Sequence, residues 1–344
     1  MDDVLRELIA TLEQGRTAAL AVILTQEGSA PRSAGSRMLL VDGGTGSVAI
    51  AAGTVGGGLV EARVMAAGAE VLATGERRVV AFDLTGELAA GADMICGGRL
   101  RVFLERVAPG DLPLWRRLAE ALERGGRCLR LTPLDGEGMT LLLPDAVCGD
   151  APAPELERAA REAGAAMAAA APLEHAGRTY ALEPFAAATP LFIFGAGHVS
   201  RPTARVAALC GFAVTVLDDR PEFASPERFP EARTRVLASF ADGFAGLGVE
   251  AGAFVVIVTR GHVHDAEVLA LALRTPAAYV GMIGSRRKRD AVYARLRGQG
   301  FDAAELARAH CPVGLGIGAE TPEEIAVSIV AEMIQVRAAA REGA

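Results

Sequence analysis

Short apolar runs bounded by glycine, proline and polar clusters recur along the whole chain. Between several of them the apolar positions shift to a spacing of three to four. The runs read as strands and the spaced segments as helices. In the first half the pattern predicts helices over Asp2 to Gln14, Leu59 to Thr74, Leu112 to Arg124 and Glu155 to Ala170. It predicts strands over Thr17 to Thr25, Ser36 to Val41, Val48 to Ala52, Val79 to Leu84, Leu100 to Val107 and Arg178 to Glu183. Leu129 to Leu143 reads as a hairpin turning at Asp135-Gly136, and Asp150 to Pro154 and Glu183 to Pro190 read as linkers.

In the second half buried-type strands are expected at Leu191 to Phe194, Ala213 to Leu217, Thr234 to Ala238, Ala253 to Thr259 and Ala277 to Ile283. Helical spacing follows Val199, and Asp290 to Gln299 continues as helix. Thr321-Pro322-Glu323-Glu324 is a helix start leading into Ile325 to Ala339. Strands alternating with helices predict a parallel sheet, whose ligands sit beyond the carboxyl ends of its strands. The expected fold class is therefore α/β, with a Rossmann-type parallel sheet over residues 190–344. A separate N-terminal α/β (α+β) domain is expected over residues 1–185.

The segment around which this organisation turns is Leu191 to Arg220. Strand, Gly195-Ala196-Gly197, helix and second strand follow in order, with Asp218 at the second strand's end, 23 residues after Gly195. Glycine lets the backbone turn sharply and approach a ligand, and the helix start presents N–H groups to an anion. Asp218 stands where a carboxylate accepts from a ribose diol. Ser200 occupies the third glycine position of the dinucleotide fingerprint and is small enough for close helix packing.

Composition narrows the chemistry. The chain has 344 residues, 51% of them hydrophobic, enough for two substantial cores. A net charge of −7 argues against nucleic acid, and no apolar run reaches the roughly 18 residues of a membrane span. With no cationic leader in Met1 to Arg6, the expected location is the cytoplasm. Five cysteines without a CxxC read as reduced thiols. Lys288 is the single lysine among 35 basic residues and does not follow a GxxxxG, which argues against a Walker-type nucleotidase.

Further candidates cluster at predicted strand ends. His198, Arg260, His262, His264, Ser285, Arg286 and Lys288 fall at carboxyl ends of the second half, and the basic run reads as a phosphate site. Four histidines, with His310 the fourth, are expected to converge on one crevice. His262 and His264 would face opposite sides of a continuing strand, which weakens them as a metal pair. In the first half, Gly56-Gly57-Gly58 before a helix with Glu61 in its first turn is a second possible anion cradle. A carboxylate there also suits the helix dipole. Cys96, in a glycine loop, and Cys311 are thiols without an evident packing role, and their loops are expected to share the cleft of the glycine turn.

Taken together, GSAPRSAGSRM (Gly28 to Met38), GTVGGGLVEA (Gly53 to Ala62), CGG (Cys96 to Gly98), FGAGHVS (Phe194 to Ser200), VTRGHVHD (Val258 to Asp265), GMIGSRRK (Gly281 to Lys288) and CPVGLGIGAETPEEIAVSI (Cys311 to Ile329) resemble the XdhC/CoxI family. These are accessory factors of xanthine dehydrogenase and related molybdenum hydroxylases. The resemblance implies a non-catalytic chaperone, expected as a homodimer. It would bind molybdenum cofactor (molybdopterin), protect it during sulfuration by a cysteine desulfurase and help insert it into the target enzyme. It departs from the family pattern at Gly316, where an acidic residue is expected in many members. Asp218 adds a tension, because a ribose is absent from the simple pterin form. A dinucleotide form, or NAD(P) as cofactor of an oxidoreductase using His262 or His264 as general acid, would use it, as would a regulatory protein sensing a nucleotide.

Overall fold

Ala18 to Ile23 are all buried, so this strand is covered on both faces, as its unbroken apolar run requires. The computed structural model describes residues 2–30, 32–44, 46–84, 98–165 and 167–342. The chain divides into two compact units, Met1–Ala187 and Ala188–Ala344.

In the first unit β1 (Ala18–Glu27), β2 (Arg37–Gly44), β3 (Ser47–Gly53), β4 (Arg78–Asp83) and β5 (Arg99–Val107) form an antiparallel sheet in the order β3-β2-β1-β5-β4. Helix α2 (Leu59–Thr74) covers one face, where Val60, Val64 and Val71 pack on Ala19, Ala21, Leu40 and Val102. Helix α1 (Asp3–Glu13) and α3 (Leu112–Glu123) lie in the core of the other face with Leu20, Leu39 and Val107. A second antiparallel sheet contains β6 (Arg127–Pro133), β7 (Thr140–Leu142), β8 (Val147–Gly149), β9 (Ala171–His175) and β10 (Arg178–Ala186), in the order β8-β7-β6-β10-β9. Its Cys128, Leu141 and Phe185 share the core of α1 and α3.

Between these sheets lies a buried ion network. Arg130 of β6 pairs with Glu105 of β5 and Glu183 of β10, and Arg37 of β2 donates to Glu183 at 3.0 Å. Arg77 adds bonds to the carbonyls of Pro133 and Gly138. The Arg130 guanidinium also sits 4.7 Å from the Trp115 ring centre. Burial alone would drive Glu183 neutral, but the Arg130 and Arg37 guanidinium groups hold its carboxyl below the ordinary value. The expected linker from Glu183 to Pro190 is corrected here, since β10 runs to Ala186 with Glu183 anchored at its centre. The expected helix to Ala170 is also shorter. Helix α4 spans Pro154–Ala165, and Ala171 already belongs to β9.

The second unit holds the parallel sheet. Its strands β11 (Thr189–Phe194), β12 (Phe212–Asp218), β13 (Arg233–Val236), β14 (Phe254–Ile257), β15 (Tyr279–Met282) and β16 (Ala309–His310) lie in the order β13-β12-β11-β14-β15-β16, every pairing parallel. Helix α5 (Ser200–Leu209) and α9 (Pro322–Glu342), the latter preceded by the short α8 (Ala303–Ala307), lie on one face, where α5 and α9 pack around Leu191, Ile193, Val214 and Met333. Helix α6 (His262–Leu273) and α7 (Arg286–Arg297) pack on the other around Phe194, Val255 and Leu269. The order in which strands are added reverses at β11, with β12 on one side of it and β14 on the other. This places a topological switch point at the end of β11.

Candidate functional site

The glycine turn begins at that switch point. Gly195 has φ +103°, and a Cβ there would stand 2.4 Å from the carbonyl oxygen of Val258. Its own N–H donates to Leu217 at 2.7 Å, which ties the turn to β12. At Gly197 a Cβ would meet nothing within 4 Å, so this glycine leaves open space at the start of α5. The hydroxyl of buried Ser200 donates to the Gly195 carbonyl at 2.5 Å. A serine at the third fingerprint position thus closes the turn onto the helix. At the start of α5 the Ser200 and Arg201 amides have no helical carbonyl a turn earlier to bond, Pro202 having no N–H. His198 is exposed beside Gly197.

Asp218 does not offer its carboxylate to a ligand. Its side chain is 2% exposed, and Oδ2 accepts from the Ala196 amide at 2.7 Å and from Arg220 Nη2 at 3.0 Å. Oδ1 accepts from the Arg220 amide and Nε at 3.0 and 2.8 Å. Burial opposes its charge, but these bonds outweigh it and hold the carboxyl below the ordinary value. The ribose role expected for Asp218 is corrected accordingly: this residue braces the glycine turn from below. Asp219, one residue on, bonds Arg260 Nη2 at 2.7 Å.

The basic run also takes a different form. Ser285 is the N-cap of α7, its hydroxyl accepting from the Lys288 amide at 3.2 Å. The run Arg286 to Lys288 is therefore the helix's first turn and not a loop. Lys288 pairs with the fully buried Asp265, whose Oδ1 accepts from Thr259 at 2.6 Å. Its charge is thus neutralised inside the protein, which corrects the expected phosphate role. Arg286 is exposed at the same helix start.

His264 and His310 do not converge, which corrects the expected crevice of four histidines. His262 opens α6 and His264 follows in its first turn, its ring tilted by 45° against that of Phe240 with centres 5.0 Å apart. The His310 ring lies tilted against Tyr279 at 4.5 Å on the opposite side of the sheet, and its Nδ1 lies 3.1 Å from Glu332. Glu332 also accepts from Tyr279 at 2.5 Å and from the Gly314 amide at 2.8 Å, tying the glycine-rich loop after Cys311 to α9. Cys311 packs among the apolar residues under α7, and burial pushes its thiol up to about 11. At neutral pH it is a thiol, against the thiolate expected of a metal ligand. Cys96 lies outside the described residues. In the first unit Gly57 opens onto free space, while Glu61 accepts from Thr54 at 2.5 Å and so braces its own loop. Among the described residues no group of three or more His, Cys, Asp or Glu side chains is arranged to hold a metal ion. No described helix is long and apolar enough to cross a membrane.

This geometry meets its counterpart in known sequences. The XdhC Rossmann domain model matches residues 191–333, and the model described as XdhC and CoxI family matches residues 11–83. The chain belongs to the XdhC and CoxI family. This family member is 29% identical to a Bacillus subtilis protein named as a probable xanthine dehydrogenase subunit, over 96% of both chains. It is 42% identical to Escherichia coli YqeB over 148 residues, 43% of this chain but 27% of that protein. A crystal structure described as a xanthine dehydrogenase from Bacillus halodurans superposes with a TM-score of 0.81 at 26% identity, covering 98% of this chain and 96% of that one.

Sequence reading missed three features of the structure, namely the Asp219–Arg260 bond, the Asp265–Lys288 pair and the Glu332 knot. Asp219 carried a signal, because two adjacent acids end one strand.

Proposed function

We propose that this chain is a molybdenum-cofactor-binding accessory protein in the maturation of a xanthine dehydrogenase-type molybdenum hydroxylase. In this reading it holds the cofactor while a cysteine desulfurase sulfurates it and then passes it to the target enzyme, working in the cytoplasm as a homodimer. Family membership and the xanthine dehydrogenase names of the Bacillus proteins support the role.

The observation that carries the binding site is the open space at Gly197, before the free amides of α5 and at the switch point of a parallel sheet. The phosphate end of the cofactor fits this cradle, with His198 and Arg260 at its edge. Cys311, the described thiol expected near the metal end, is held protonated by burial and offers no thiolate there. The chain's own work is therefore to grip phosphate and orient the ligand. The bound cofactor supplies the molybdenum centre that the target enzyme uses.

Native mass spectrometry of protein purified from a molybdenum-replete host tests the reading. A pterin phosphate mass with molybdenum is expected on the wild type, and Gly197→Val is expected to lose it while keeping a normal circular dichroism spectrum. A wild-type protein that carries no pterin and does not raise the activity of a co-expressed molybdenum hydroxylase would overturn the assignment.

A further inference from the structure

Two acids end β12, and the fold uses up only the first. Asp218 has both oxygens engaged by Ala196 and Arg220. Asp219 uses one oxygen, Oδ2, on Arg260. Its Oδ1 is buried and accepts no hydrogen bond among the described residues. Arg220 Nε approaches it only to 3.9 Å, beyond hydrogen-bond reach. A carboxylate oxygen kept from water without a donor is costly, and a hydroxyl-bearing ligand would remove that cost.

The partner of Asp219 gives this oxygen its meaning. β12 and β14 are the two neighbours of β11. Asp219 leaves the end of β12 and Arg260 leaves the end of β14, so their ion pair arches across the carboxyl end of β11, where the glycine turn starts. Any ligand seated on the turn passes this pair. Arg260 is 47% exposed and Asp219 21% exposed, so the guanidinium end of the pair lies open to a competing ligand while the carboxylate end is mostly covered. A phosphate competes for the guanidinium, and hydroxyl groups satisfy the carboxylate.

A molecule that carries both groups at a short distance is a ribonucleotide. We propose that the ligand of the glycine turn is a ribonucleoside phosphate whose ribose hydroxyls donate to Asp219 while its phosphate draws Arg260 away. The Asp219–Arg260 pair is closed in the free protein and opens on binding. The proposal rests on the reading of the turn as a phosphate cradle and narrows its ligand class. A bare pterin phosphate has no ribose and leaves Asp219 unsatisfied. A pterin dinucleotide and a nicotinamide dinucleotide both satisfy it.

Isothermal titration calorimetry on the full chain tests this with pyrophosphate, with ADP, CDP and GDP, and with the 2′,3′-dideoxy counterparts of each. The wild type is expected to bind at least one ribonucleotide about tenfold more tightly than its dideoxy form, as one charge-assisted bond implies. Asp219→Asn is expected to reduce that ratio to about two or less, while pyrophosphate binds as well or better because Arg260 is released. Preference for ADP identifies an adenine-bearing cofactor, and preference for CDP or GDP a pterin dinucleotide. Equal affinity of the wild type for ribonucleotide and dideoxy forms overturns the proposal. If pyrophosphate binds and Gly197→Val abolishes it, equal affinity leaves the phosphate cradle standing and removes only the role of Asp219. If neither pyrophosphate nor any nucleotide binds, the cradle and the role of Asp219 fall together.

Discussion

Gly195 lies against the backbone of Val258 so closely that a methyl group would overlap the Val258 carbonyl, whereas Gly197, two residues on, faces open space. The two glycines of one motif thus have separable duties. Gly195 allows β11 to turn beside β14 at φ +103°, and Gly197 keeps room for a ligand. Gly195→Ala is expected to destabilise the protein by about 2 kcal/mol or more, from steric overlap and backbone strain together. Gly197→Ala is expected to stay within about 0.5 kcal/mol of wild type, as surface substitutions do. Urea denaturation of the two variants checks this, and equal losses would show that both glycines serve the fold.

The Arg130 network makes a contrasting case in the first unit. Arg130 is 1% exposed and is flanked by Glu105 and Glu183, themselves nearly fully buried. Arg130→Ala leaves two buried carboxylates without their shared cation and is expected to cost about 3–5 kcal/mol. Removing an exposed partner, as in Arg116→Ala, which loses its 2.7 Å contact with Glu13, is expected to cost less than about 1 kcal/mol. Equilibrium unfolding followed by tryptophan fluorescence suits this comparison, because Trp115 packs on Arg130 and is the single tryptophan of the chain. A small loss in Arg130→Ala would mean that the two sheets hold together without the network.

How far these features could be read from sequence depends on whether they are local. The turn from Phe194 to Ser200 was legible because buried-type strands, breaker residues and helical spacing meet within one short segment. The parallel sheet followed from the same alternation. Spacing locates the Asp218 carboxylate at the strand end but does not show the Ala196 and Arg220 donors that surround it. Arg130 and Glu183 read as an ordinary strand and a linker, since the partners that bury them lie 25 and 53 residues away in the chain or further. Ser285 hid as a cap because its helix begins with arginine where an acid would have marked the first turn. Lys288 was singled out as the lone lysine, but its partner Asp265 belongs to another helix and has no signature in spacing.

Glu332 predicts an acid-side loss of stability. Burial opposes its charge, yet the bonds from His310, Tyr279 and the Gly314 amide hold its carboxyl below the ordinary value. A depressed carboxyl contributes stability that is full above the unfolded value of about 4.3 and is lost as pH falls through the folded value. Thermal melts between about pH 3 and 7 are expected to show this decline in the wild type. Glu332→Gln should start lower at neutral pH and decline less on acidification. Parallel curves for the two proteins would show that Glu332 gains nothing from its three partners.

Cys311 bears on how a metal-carrying ligand is handled. Its thiol is pushed up to about 11, chiefly by burial, with Asp265 and Asp290 reinforcing the effect and Arg289 and Lys288 opposing it. An ordinary thiol near 8.5 is roughly one-tenth ionised at about pH 7.5, whereas one near 11 is ionised to a few parts in ten thousand. Alkylation of Cys311 by iodoacetamide at neutral pH is therefore expected to be a few hundredfold slower than that of a free cysteine. The rate should climb tenfold per pH unit until the thiol titrates, which peptide mapping by mass spectrometry follows directly. Because the folded value is raised, the thiol contributes stability below about 8.5 that is lost as pH rises towards the folded value, so Cys311→Ser should flatten the alkaline decline. If Cys311 instead alkylates at the rate of a free cysteine, it is an accessible thiolate, and the soft donor missing from the metal end of the proposed site is found. If it is slow as expected, metal or sulfur capture at Cys311 would first have to expel its proton. The grip on the cofactor then falls to the phosphate cradle at Gly197.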